Sequence, residues 1–238
     1  MNKNPDFVSV ATRLIEERFS DAACAFVAGS IVTGQGTPSS DIDLIVFYND
    51  ETSISFRESV FHEGWPVEIF VHNLKSQEHF MNEDLENAQC STLTMVLSGI
   101  VIGDQKIAQT RKDKAALLMQ QGPNPWTTTK IDNKRYFLSD LFDDLRHPKD
   151  PDYIPAILAE LFLRLGDFYL RAQNKWSGDG KQLIKILKKD NAEFTQRYLH
   201  AFEMARQKDV QPLETLMTEI LAPYGGFLFE GFKGIVKL

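Results

Sequence analysis

Val8, Ala11, Leu14, Ile15 and Phe19 recur at helical spacing, and Arg13, Glu16, Glu17 and Arg18 occupy the opposite side, which predicts an amphipathic helix over Asp6–Phe19 with Asp6 as its N-cap. The pattern then changes period. Ala23–Ala28 is a short continuous apolar run of the kind that forms a buried strand, and Asp41–Tyr48 is a second one that opens on two acids. Between them lies a loop rich in Gly, Ser and Pro, in which Ser30–Thr33 is expected to make one helical turn ended by Gly34. After turn chemistry at Asn49-Asp50, Ser53–His62 and Trp65–Val71 read as two strands of a hairpin around Glu63-Gly64. In the returning strand Val67, Ile69 and Val71 face one way, while Glu68 and Phe70 face the other.

Further on, Leu74–Ala88 and Ile107–Met119 read as helices, separated by an apolar stretch over Thr92–Ile102 that ends in a turn at Gly103-Asp104. Gln121-Gly122-Pro123-Asn124-Pro125 is the strongest linker in the chain, because two prolines and a glycine stop any element. Beyond it the strand signal fades. Helical patterns run through Tyr136–Leu145, Ile154–Leu170, Leu183–Leu187, Ala192–Ala205 and Leu213–Leu221, with a loop at Asn174–Gly180 and a break at Pro223–Gly226. The segment Phe227–Leu238 carries three phenylalanines and is expected to pack back onto the fold. The reading is therefore an α/β domain over residues 1–122 followed by an all-helical domain over 123–238.

Composition narrows the class. Net charge is −7, so the chain is a poor non-specific binder of nucleic acid, and none is expected as a partner. Two cysteines, Cys24 and Cys90, are too few for a disulfide framework and point to a reducing compartment. Met1–Asp6 lack an apolar signal core, and no apolar run approaches the roughly 20 residues that span a bilayer. A cytoplasmic protein with no membrane partner is the expectation.

The candidate chemistry is concentrated between residues 29 and 68. Asp41 and Asp43 are two apart, so on a strand both carboxylates leave the same side. Adjacent carboxylates repel unless a cation sits between them. Gly29-Ser30 begins a turn whose backbone N–H groups suit an anion such as phosphate. Glu68 interrupts an otherwise apolar strand, and a carboxylate there needs a partner. Pairing with Arg57 across the hairpin would satisfy it without any ligand. Likewise Asp41 could merely cap its loop and Gly29-Ser30 could be a plain turn, although capping accounts for one acid and not both. The five histidines show no metal-ligand spacing, and neither a P-loop nor a dinucleotide fingerprint is present.

Gly29-Ser30, Asp41-Ile42-Asp43 and the later Glu68, in that order, resemble the signature of the polymerase-β-like nucleotidyltransferase superfamily. Gly34 and Ser40 sit where its aminoglycoside-modifying branch carries Gly and Ser, and the likeness is strong over residues 23–71 and weaker over about 128–210. The resemblance implies a mixed sheet followed by a helical bundle that binds the acceptor. It also implies transfer of a nucleoside monophosphate, from ATP as the NTP donor, to a hydroxyl of a small molecule such as an aminoglycoside, with release of pyrophosphate.

One or two Mg²⁺ would be held by Asp41, Asp43 and Glu68, the last acting as ligand or as general base. Gly29, Ser30 and Lys181, the lysine that follows Gly178-Asp179-Gly180, would hold the triphosphate, with Lys175 and Lys185 behind it. An acidic face of Asp140, Asp143 and Asp144 would suit a cationic acceptor, or is simply solvated, and Trp176 would stack on a ring or pack in the core. Two rival readings share the pattern: a protein or RNA acceptor, as in antitoxin-like nucleotidyltransferases, and a non-catalytic nucleotide sensor. Acceptor identity and oligomeric state stay open at this point.

Overall fold

α1 (Phe7–Arg18) starts where expected, with the Asp6 carboxylate accepting from the Val8 and Ser9 amides. It is followed by β1 (Cys24–Ala28), β2 (Ile42–Phe47), β3 (Phe56–His62) and β4 (Trp65–His72). Then come α2 (Leu74–Asn87), α3 (Ser91–Ser98), β5 (Ile100–Gly103) and α4 (Gln105–Gln121). A computed structural model describes residues 6–234 of the chain, which divides into two compact units at Gly122–Pro123.

The strands form one mixed sheet in the order β3-β4-β2-β1-β5. β2 and β4 run parallel, and the other neighbours are antiparallel. α1 covers one face of this sheet. Val10, Ala11, Leu14 and Ile15 pack there on Ala25, Val27, Ile42, Leu44, Val46, Val67, Ile69 and Val71, alternate residues of three central strands. The other face carries Phe26, Phe47, Phe70 and the acids. Arg111 and Lys112 of α4 lie over Phe47 and Phe26, with the Arg111 guanidinium 4.1 Å from the Phe47 ring. Cys24 is buried on this sheet, and desolvation pushes its thiol up to about 11, where it is an inert packing group.

Four local expectations shift. The first hairpin strand begins at Phe56 and not Ser53, because the Asp50 carboxylate takes the Thr52 and Ser53 amides at 2.7 and 2.6 Å and ties that stretch into a loop. Ser30–Thr33 is a non-helical turn, closed by a Gln35 N–H donating to the Ser30 carbonyl at 2.8 Å. The apolar stretch Thr92–Ile102 splits into α3 and β5 at Gly99. A Cβ at Gly99 would stand 2.8 Å from the Phe26 Cβ, so only glycine lets the chain pass that close to β1. β2 begins at Ile42, which leaves Asp41 just outside the strand.

The second unit is helical. It comprises α5 (Thr128–Arg146), α6 (Ile154–Arg171), α7 (Gly180–Asp190), α8 (Ala192–Arg206) and α9 (Gln211–Leu221). Leu161, Leu165 and Phe168 of α6 meet Tyr198 and Phe202 of α8 and Leu216 and Met217 of α9 in one core. Tyr198 is fully buried, and its hydroxyl donates to the Phe162 carbonyl. After the break at Gly225-Gly226 the chain returns to α5. Phe227 stacks on Phe142, and Phe232 lies 4.0 Å from Tyr136. Leu228 donates its amide to the Ser139 hydroxyl at 2.9 Å. Residues 235–238, the end of the expected apolar segment, lie outside the described residues.

Candidate active site

Three acids converge at one end of the sheet. Asp43 is the second residue of β2, and the parallel pairing with β4 sets it directly beside Glu68. Asp41 shares its parity two residues earlier. Each of the three is half-buried and offers an oxygen, and these oxygens all lie within 4.8 Å of one another. Such a set of hard oxygen donors, with no His or Cys among them, fits a divalent cation of the Mg²⁺ type. The sheet holds the backbones of Asp43 and Glu68 in register, so their mutual repulsion cannot be relieved by drifting apart.

Gly29 brings the phosphate-type turn against this cluster. It follows Ala28, which pairs with Asp43 across the antiparallel β1–β2 ladder. Its φ is +88°, and a Cβ there would stand 2.0 Å from the Asp43 Oδ2. Two independent constraints therefore require glycine: left-handed backbone and a carboxylate packed on the turn. The Ser30 hydroxyl donates to Ser40 Oγ at 3.0 Å, and Ser40 Oγ also accepts from the Thr37 amide at 2.8 Å. These bonds tie the loop before β2 to the turn after β1, so the two halves of the motif are one built structure.

On its other side, Glu68 meets β3. The Glu63-Gly64 turn has φ of +48° and +82° at its two residues, the geometry of a two-residue hairpin loop. That loop sets Ser59 opposite Glu68 and Arg57 opposite Phe70. Arg57 crosses diagonally, donating through Nη2 to Glu68 Oε2 at 2.8 Å and lying 5.0 Å from the Phe70 ring. Glu68 thus belongs both to the acidic cluster and to the hairpin pair, two arrangements that the residues alone had presented as alternatives. A cavity of about 150 Å³ opens between them, lined by Asp41, Ser59, Phe61, Pro66 and Glu68 among others. Phe61 is 81% exposed at its rim.

Ser59 and Phe61 were not singled out from sequence, although the two-residue turn contains the signal. Once that turn is counted, the register places 59 across from 68. His72 lies four residues along β4 from Glu68, about 13 Å of strand. Its ring packs edge-on to Phe80, and burial pushes it down to about 4, so it is a neutral packing residue. Lys181 belongs to the second unit, where it is exposed in the first turn of α7. Lys175 is paired with Asp190 at 2.7 Å.

The arrangement of glycine turn, two acids and a third carboxylate on a later strand defines a class. Residues 12–86 match the family model of the nucleotidyltransferase domain, a span from within α1 to near the end of α2 that holds Gly29, Ser30, Asp41, Asp43 and Glu68. The first unit carries a nucleotidyltransferase domain, and the protein is a nucleotidyltransferase. No curated protein matches the chain. A crystal structure of a nucleotidyltransferase-like protein from Exiguobacterium sibiricum 255-15 is similar at 12% identity, over 90% of this chain and 79% of that one, with a TM-score of 0.44. No helix among the described residues is long and apolar enough to cross a membrane.

Proposed function

We propose that this protein is a Mg²⁺-dependent enzyme that moves a nucleoside monophosphate from ATP to a hydroxyl of a small acceptor, an aminoglycoside-like compound being the reference case. The acceptor oxygen forms a bond to the α-phosphorus, the bond from that phosphorus to the bridging oxygen breaks, and pyrophosphate leaves. The hydroxyl proton passes to a base or to water. The observation that carries this reading is the convergence of Asp41, Asp43 and Glu68 within 4.8 Å beside the Gly29 turn.

Bound Mg²⁺ would supply Lewis acidity at the phosphoryl oxygens and neutralise the leaving group. Asp41 and Asp43 are proposed as its principal ligands and Glu68 as the third. Gly29 and Ser30 are proposed to hold triphosphate oxygens through the turn's N–H groups and the Ser30 hydroxyl, and Lys181 to add a cation from the helical unit. The order β1-β2-β4 in the sheet sets the Gly29 turn on the β1 side of Asp43 and Glu68 on the β4 side. The cavity beside Glu68 is proposed to receive the attacking hydroxyl.

Purified protein incubated with α-labelled ATP, Mg²⁺ and a panel of aminoglycosides and aminocyclitols tests the reading. Label transferred to an acceptor with stoichiometric pyrophosphate is the expected result. Absence of any transfer across the panel removes the small-molecule assignment, and a strong preference for another NTP removes ATP.

A further inference from the structure

β3 ends the strand order of the sheet, so one of its edges has no strand beside it among the described residues. The opposite edge strand, β5, is four residues long, and Lys112 of α4 donates to the Gly99 carbonyl just before it at 2.8 Å. β3 has seven residues and no proline. It has no bulge either, since its pairing with β4 runs residue for residue from Phe56↔Val71 to His62↔Trp65. Edges of that kind are ordinarily shortened, bulged or covered, because their unpaired N–H and C=O groups template another strand.

Pro66 sets the direction of those groups. It stands opposite Phe61 and has no N–H to give, so 61–66 is a non-hydrogen-bonded pair of the ladder. Alternation makes Ser59–Glu68 and Arg57–Phe70 pairs of the same kind. The N–H and C=O groups of Arg57, Ser59 and Phe61 therefore point away from β4. All three residues are exposed, and an aromatic ring as open as that of Phe61 gains by being covered.

A strand that pairs with its own copy about a two-fold axis brings these outward residues opposite one another. The side chains select the centre. An axis at Arg57 sets two guanidinium groups face to face, and one at Glu58 does the same with two carboxylates. An axis at Val60 or Phe61 pushes Arg57 past the end of the other strand. An axis at Ser59, the midpoint, overlaps β3 along its whole length. Ser59 then meets Ser59, Glu58 meets Val60, Phe56 meets His62 and Arg57 meets Phe61. No like charges are opposed, and the last pair places a cation on the exposed ring. Arg57 gives Nη2 to Glu68, yet most of its side chain remains in solvent and can meet that ring.

We propose that β3 is a dimerisation edge. Two copies of this chain pair antiparallel through β3 about an axis at Ser59, which joins their five-stranded sheets into one. Phe61 of each copy then lies against Arg57 of the other, at the wall of the cavity beside Glu68. This goes beyond the proposed transfer reaction and does not rest on it, because pairing is read as mass and needs no turnover.

Sedimentation velocity on the full-length protein, under reducing conditions, is expected to show a concentration-dependent dimer. Ser59→Pro removes an N–H that points away from β4, so it spares the β3–β4 ladder and blocks the free edge. It should weaken the dimer about tenfold or more, while Ser59→Ala leaves it intact. Oxidation tests the register. Ser59→Cys meets its own copy on the axis and is expected to cross-link. Val60→Cys, set opposite Glu58 of the other copy, is not, nor is the wild type with Cys24 and Cys90. A wild type that sediments as a monomer at every concentration overturns the proposal. So does a dimer that Ser59→Pro leaves unchanged, or a cross-link through Val60→Cys and not through Ser59→Cys. Thermal melting shows whether Ser59→Pro is folded. Where it is not, Arg57→Glu replaces it, because a carboxylate against the Phe61 ring should weaken the dimer by a similar factor.

Discussion

Asp43 faces Glu68 across the parallel β2–β4 pair, in the same register that sets Leu44 beside Ile69 and Val46 beside Val71. The apolar members of that register are what hold the acids. Leu44, Ile69, Val46 and Val71 are fully buried under α1 on one face, and their alternates, Asp43 and Glu68, are therefore forced to the other face together. The repulsion between the two carboxylates is sustained by core packing, and a divalent cation held between them would relieve it.

Asp43→Asn removes one charge and one proposed metal ligand from this cluster. Mn²⁺ binding, followed by electron paramagnetic resonance, is expected to weaken sharply. Transfer activity should fall by about 10² or more, the scale of losing one electrostatic stabiliser of the transition state. Unchanged Mn²⁺ affinity would remove Asp43 as a ligand.

Gly29→Ala tests the junction between the phosphate turn and the carboxylates. The φ of +88° alone is expected to destabilise the fold by about 1–2 kcal/mol for a residue with a side chain. The methyl group would also meet Asp43 Oδ2. Urea unfolding should register the first effect, and loss of Mn²⁺ binding at temperatures where the variant is folded should register the second.

Arg57→Ala should separate folding from site chemistry. The Arg57 side chain is 61% exposed and its pair with Glu68 lies at the sheet surface, so the change in stability is expected to stay below about 1 kcal/mol. Removing a positive charge beside a proposed metal ligand should tighten Mn²⁺ binding by roughly 3- to 10-fold, since such a charge is worth about 1 kcal/mol even in water. Weaker binding in the variant would show that Arg57 positions Glu68 for the metal and does not compete with it.

Asp84 supplies a stability handle away from the site. Its carboxylate is buried in α2, which pushes it up to about 6, although Oδ2 accepts from the Leu93 amide at 2.9 Å. A carboxylate whose folded value lies above its unfolded one binds more protons in the folded state. Its contribution is thus most favourable below about pH 4 and is lost as pH rises through the window from about 4 to about 6. Asp84→Asn keeps an acceptor for the Leu93 amide without the charge. Urea midpoints are expected to show the variant more stable than wild type at pH 7.5, on the order of 1–3 kcal/mol, with the gap closing toward pH 4. Taking the difference between the two proteins cancels His72, whose lowered value gives the opposite slope in an overlapping range.

The chain by itself determined the parts of this protein that depend on near neighbours. Alternation in Trp65–Val71 placed Glu68 on the face away from Val67, Ile69 and Val71, and the strand has that burial. Pro and Gly at residues 122–125 marked the boundary between an α/β half and a helical half, because these residues act on the backbone where they stand. The acids Asp41 and Asp43, two apart, marked a candidate cation site through charge and strand period alone.

Only the tertiary structure decided the rest. Thr92–Ile102 is apolar throughout, and what divides it into helix and strand is the close pass of Gly99 over Phe26, a residue far back in the chain. Glu68 joins the aspartates because β4 pairs parallel to β2, a choice made by buried surface and not by local propensity. The cations over Trp126 come from two helices, Lys130 and Lys134 from α5 and Arg171 from α6, whose sequences show no shared pattern. Local preferences act over one turn or one pleat, whereas a site is assembled by the burial of faces that are distant in sequence. The residues could therefore name the chemistry, and only their packing could set its geometry.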